Sequence, residues 1–134
     1  MKIMRVAGIV YTVASACVVA FQIALALGAP WGAYAIGGAY GGQLPPAMRV
    51  SAMVQAAVLA LLAGVVLARA GLALRAWSRA SRWAVWLVVA VAAVSLLLNL
   101  ITPSAGERMI WAPVAFVMLV SSLLVATGHT KTGR

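Results

Sequence analysis

Four apolar runs, 6–28, 50–70, 83–102 and 109–127, divide the chain, and polar or Gly/Pro-rich segments separate them. Each run is close to the ~20 residues a helix needs to cross ~30 Å of hydrocarbon. None carries Lys, Arg, Asp or Glu in its middle. A segment in lipid must satisfy its backbone hydrogen bonds internally or in a closed barrel, and no two-residue alternation supports a barrel. The pattern predicts an all-α fold: one integral membrane domain, 1–134, built as a four-helix transmembrane bundle.

Small residues recur at every fourth position of the first run (Thr12, Ala16, Ala20, Ala24, Gly28) and of the second (Ala52, Ala56, Ala60, Gly64, Ala68). Such stripes let two backbones approach closely in lipid, where no hydrophobic force draws helices together. They predict a tight hairpin of spans one and two. Weaker versions mark span three (Ala84, Val88, Ala92) and span four (Ala115, Ser122, Ala126).

Composition agrees with the class. Hydrophobic residues make up 66% of the chain and charged ones 8%. A soluble fold of this size leaves too much surface exposed to hide that apolar share. The net charge of +9 therefore points to anionic lipid and topology, and nucleic acid is not expected as a partner.

The basic residues are distributed unevenly. Lys2 and Arg5 precede span one; Arg69, Arg75, Arg79 and Arg82 lie between spans two and three; Lys131 and Arg134 follow span four. Only Arg49 and Arg108 lie on the other side, so both termini are expected in the cytoplasm, in a plasma (inner) membrane. Aromatic residues fit the same frame: Trp77, Trp83 and Trp86 at the inner interface, Trp31, Tyr34, Tyr40 and Trp111 at the outer one. The opening "MKIMR", with Ala14-Ser15-Ala16 before Cys17, resembles a lipoprotein leader. The apolar run continues to Leu27, so the segment reads as a span instead.

Two connections stand out. "APWGAYAIGGAYGGQLPPAMR", between spans one and two, holds five glycines and three prolines, which excludes a continuous helix. Its Trp, Tyr and Ile content suits a loop resting on the membrane surface or folded back over the bundle. In "RAGLALRAWSRASRW" the spacing of Arg75, Arg79 and Arg82 places them on one helical face, as snorkelling anchors or as a dock for an acidic partner.

The chemical inventory is thin. One Cys, one His (His129) and one acid (Glu107) supply neither a metal cluster nor a nucleophile–base–acid set, so no catalytic residue, metal or cofactor is expected. "GGAYGG" has no Lys, which excludes a phosphate-cradling loop.

Glu107 lies in "NLITPSAGERMIW". Ser104 and Glu107 have the spacing of a capping box, in which each side chain meets the other residue's amide at the start of span four. The acid also sits at the positive end of that helix. Gln22, Gln55 and Asn99 add polarity to the same half of the bundle. Two readings follow: interhelical hydrogen bonds that fix packing, or an outward-facing cavity. In the second, Gln22, Gln55 and Asn99 form the lining, Glu107 pairs with Arg49 or Arg108 at the mouth, and Trp31 and Trp111 stand beside it. Pro113 is expected to kink span four.

"ALGAPWG…GG…LPPAMR" with "NLITPSAGERMIWAPV" resembles small four-span membrane proteins of GC-rich bacteria, a likeness with no mechanism attached. Other small four-span families fit less well. Multidrug exporters carry a Glu in span one, where this chain has Gln22; dual-topology fluoride channels need balanced loops; quinone-linked disulfide enzymes need a CxxC. The leading expectation is a non-enzymatic bundle that binds a small amphiphile, a membrane lipid or a partner helix from the outer side, with homo-oligomers compatible. A transporter or channel ranks second and a lipid-modifying enzyme third.

Overall fold

Backbone satisfaction in an apolar solvent requires long helices, and four are present. The computed structural model describes residues 2–128 and contains α1 (Lys2–Ala26), α2 (Pro46–Arg69), α3 (Ser78–Ile101) and α4 (Ala105–Thr127). All four are long and apolar enough to cross a membrane. The helices begin about one turn before the apolar runs, because polar first turns stay helical at an interface where hydropathy has already fallen. His129, Lys131 and Arg134 lie outside the described residues.

Local chemistry sets the ends. Gly28, at φ +105°, turns the chain away from α1 while the amide of Ala29 donates to the Ala24 carbonyl at 2.9 Å. Pro46 occupies the first position of α2, where its missing N–H leaves nothing unpaired. Short 3-10 turns at Gly32–Tyr34 and Ile36–Gly38 shape the first connection, and one at Arg75–Trp77 leads into α3. α4 runs through Pro113 without a break.

Successive helices pack antiparallel, and α1 closes the ring against α4; α2 and α4 barely touch across the diagonal. Two ends result. The terminal end holds the start of α1, the α2–α3 connection and the end of α4. The loop end holds residues 27–45 and the α3–α4 turn.

The main core lies towards the terminal end, where Met4, Ala7, Tyr11, Val66, Val85, Val88, Met118 and Val125 pack together. A smaller cluster of Leu25, Ala35, Leu44 and Ala52 lies at the loop end. Large apolar side chains such as Val13, Leu61, Leu97 and Phe116 point outward, as expected of a surface facing lipid.

α1 and α2 do pack closely, but not along the expected stripe of α1. Ala16 and Ala20 are exposed, as is Ala60 of α2. The buried face of α1 carries Met4, Ala7, Gly8, Tyr11, Ser15 and Leu25 instead. The large Tyr11 needs the interior, and Gly8 provides the close approach. A Cβ added at Gly8 would lie 2.8 Å from the Cβ of Ala70. Ala52, Ala56, Gly64 and Ala68 of α2 are buried as expected.

The seam between α2 and α3 is the least extensive of the four neighbouring pairs. On α3, Ser81, Val85, Val88 and Ala92 are buried, and no residue of the helix beyond Ala92 is. Towards the loop end the two helices therefore leave a gap.

Candidate functional site

A cavity of about 530 Å³ fills the space between the two cores. Apolar side chains form most of its wall, among them Val18, Leu59, Val91, Val114 and Met118, with Tyr11 at its deep end. Its polar side chains gather towards the loop end: Gln22, Gln55, Ser95, Asn99 and Glu107. Val54, Val58 and Leu98 line the cavity yet are 57%, 48% and 57% exposed. The cavity thus opens sideways between α2 and α3, onto the bundle's apolar exterior.

The first connection roofs it. Tyr34, Ala35, Ile36 and Leu44 line the cavity from above. Three hydrogen bonds tie this segment to the start of α4: the Gly37 amide donates to Glu107 Oε2 (2.8 Å), Ser104 Oγ donates to the Ala33 carbonyl (2.7 Å), and Trp111 Nε1 donates to the Tyr34 carbonyl (3.1 Å). Ile36 (φ +51°) and Gly37 (φ +65°) are both left-handed, a conformation that a β-branched residue adopts only when its surroundings enforce it. The bond to Glu107 is one such constraint. Close packing is another, since a Cβ at Gly106 would lie 2.6 Å from the Tyr34 ring.

The capping box forms only in part. Ser104 Oγ accepts from the Glu107 amide at 3.1 Å, as the spacing requires. The return bond is replaced: Thr102 Oγ1 receives the Ser104 amide at 3.3 Å and donates to Glu107 Oε2 at 2.9 Å. Glu107 is thereby released to hold Gly37. Among the described residues, Glu107 Oε1 accepts no hydrogen bond.

The expected pairing of Glu107 with an arginine is not present. Arg49 turns to its own side of the mouth, donating to the Leu44 carbonyl (2.9 Å) and to Gln43 Oε1 (3.2 Å). It sits beside Gly28, does not line the cavity and props the second half of the roof. Arg108 is exposed and also outside the lining. The roof's amide reaches the carboxylate first, because residues 33–38 fold directly over α4.

Of the other expected site residues, Gln22, Gln55, Asn99 and Trp111 all line the cavity. Gln22 Nε2 donates to Gln55 Oε1 at 3.0 Å, which links α1 to α2. Asn99 Nδ2 donates to the Ser95 carbonyl at 2.7 Å. That bond fixes the orientation of the amide, since a carbonyl can only accept, and leaves Oδ1 as an acceptor. Trp31 lies outside the lining but stacks on Phe21, with ring centroids 6.2 Å apart. Phe21 also meets Trp111 at 4.6 Å.

Phe21, Tyr34 and Tyr11 escaped sequence reasoning as site residues. Nothing in a run of apolar residues distinguishes a ring facing a cavity from one facing a core. The adjacent glycines at 37 and 38 were the available signal for a close backbone approach.

Compared with protein-family models, curated proteins and solved structures, the chain matches none.

Proposed function

We propose that this chain is a non-enzymatic, four-span protein of a plasma (inner) membrane that binds a small amphiphile. The ligand reaches the cavity from the lipid, through the gap between α2 and α3. Its tail lies along the apolar wall and its polar group at the loop end, beside Gln22, Gln55, Asn99 and Glu107.

The observation that carries this reading is the cavity's polarity. It is apolar along its depth, polar at one end, roofed by the first connection, and open on the side that faces lipid. A volume of about 530 Å³ falls within the ~300–1,000 Å³ of sites for single small molecules. The loop end is taken to face outward, because Lys2, Arg5, Arg69, Arg75, Arg79 and Arg82 cluster at the terminal end. A conduit is less favoured, since Val66, Val85, Val88 and Val125 pack fully buried below the cavity. Glu107 is engaged in holding the roof, which suits binding better than proton transfer.

The test is photolabelling in nanodiscs with a dodecyl chain carrying a diazirine. Label is expected on peptides containing Val58, Asn99 and Trp111. It should fall there in Ala92→Phe and Ser95→Phe, which fill the cavity, while lipid-facing Leu61 and Phe116 stay labelled. Labelling confined to the lipid-facing positions, or unchanged in both variants, would overturn the reading. So would crosslinks joining the gap to a helix of another protein.

A further inference from the structure

The loop end of the cavity has a definite chemical character. Glu107 is the only charged residue in the lining, and its Oε1 takes no hydrogen bond from the described residues. Asn99 Oδ1, on the turn of α3 just before the Thr102 that bonds Glu107, is likewise a spare acceptor. The amides of Gln22, Gln55 and Asn99 each give one N–H to a protein acceptor and keep a second, neutral donor. The polar end therefore offers one negative charge and acceptor oxygens beside neutral amide donors, and no cation among its lining residues.

Aromatic rings complete the arrangement. Trp111 is one helical turn beyond Glu107 and shares its face of α4. Phe21 packs against Trp111, and the Tyr34 ring lies against Gly106. All three rings line the cavity. A carboxylate and aromatic rings lining one cavity are a combination that recognises ammonium groups, through ring quadrupoles and a charge partner. The arginines at this end do not line the cavity, so neither supplies an anion site inside it.

We propose that the bound amphiphile carries an ammonium head, held by Glu107 Oε1 and by the rings of Phe21, Tyr34 and Trp111. The proposal rests on the cavity's being a binding site for an amphiphile. The volume favours a single chain over a two-chain lipid.

Three diazirine-bearing dodecyl probes separate the two claims: a trimethylammonium, its uncharged tert-butyl isostere and a sulfate. Each is tested in nanodiscs whose lipid is phosphatidylglycerol, which has no ammonium head, with dose expressed as mole fraction in the membrane. The ammonium probe is expected to label the cavity peptides at a dose at least about tenfold lower than the other two, as ion–ion and cation–π attraction in a desolvated site implies. Glu107→Gln keeps an acceptor for Gly37 and Thr102, so it should preserve the roof and remove most of the advantage of ammonium over the isostere, leaving the part the rings supply. Trp111→Leu should reduce that advantage independently. Adding phosphatidylethanolamine distinguishes the source: displacement of the probe identifies a bilayer lipid as the ammonium donor, and no displacement a free amphiphile. Equal labelling by all three probes, or preference for the sulfate, overturns the ammonium assignment and leaves the cavity reading intact. If no probe labels the cavity, the binding reading itself fails and this one falls with it.

Discussion

The Gly37 amide donates to Glu107 Oε2 at 2.8 Å, joining positions 70 residues apart in the chain. This bond gives the only carboxylate in the sequence its structural role. It holds the first connection over the cavity and enforces a left-handed pair at Ile36 and Gly37.

Removing the acceptor should release the roof. Glu107→Ala leaves the Gly37 amide and the Thr102 hydroxyl without their partner, at an expected loss of about 2 kcal/mol. Glu107→Gln retains an acceptor oxygen and should lose less than half of that. Unfolding midpoints in mild detergent test the ranking, and hydrogen exchange at residues 33–38 should accelerate in the Ala variant alone. Equal exchange in both variants would show that the bond does not hold the roof.

Gly106→Ala pits two effects against each other. Ala is the better helix former by ~1 kcal/mol, yet its Cβ would lie 2.6 Å from the Tyr34 ring. Such overpacking typically costs about 1–3 kcal/mol, so a net loss of stability is expected. Adding Tyr34→Ala removes the obstacle, and the double variant should be more tolerant of the change at 106 than wild type. A double-mutant cycle without coupling would reject the contact.

The packing face of α1 can be tested by contrast. Gly8→Ala introduces a methyl 2.8 Å from the Cβ of Ala70 and should destabilise by about 1–3 kcal/mol. Ala20→Leu adds far more volume on an exposed position and should stay within ~0.5 kcal/mol of wild type. The opposite order of melting temperatures would restore the stripe through Ala16 and Ala20.

At the terminal end, Arg69 Nη2 donates to the Gly128 carbonyl at 2.7 Å, placing a cation at the negative end of α4. Arg69→Ala should cost about 1–2 kcal/mol, with faster hydrogen exchange in the last turn of α4. An unchanged last turn would mean that the contact contributes nothing.

Orientation is testable by cysteine labelling in a Cys17→Ala background. Gly41 suits the probe because a Cβ there meets nothing within 4 Å and its backbone does not require glycine, unlike Gly42 at φ +85°. A membrane-impermeant reagent added outside should modify a cysteine at 41 and spare one at Ser78. The reverse pattern inverts the topology.

The sequence by itself determined the four helices, since length and hydropathy are set residue by residue wherever the solvent is hydrocarbon. It determined the Ser104 cap as well, because that bond spans three positions and needs only local geometry. It placed Gln22, Gln55, Asn99, Glu107 and Trp111 in one half of the bundle, since depth follows directly from position along a helix. Which face each helix buries was decided only in the folded bundle. In an Ala-rich segment several stripes have the same spacing, and Tyr11 and Gly8 selected one by size and by closeness of approach. The partner of Glu107 was likewise a tertiary outcome, for the segment that folds over α4 is what brings the Gly37 amide, and not Arg49 or Arg108, to the carboxylate. The cavity itself depends on where the buried seam of α3 stops, at Ala92. No residue pattern marks that point, because apolar side chains facing a gap, a core or lipid are chemically alike and only the neighbouring helix distinguishes them.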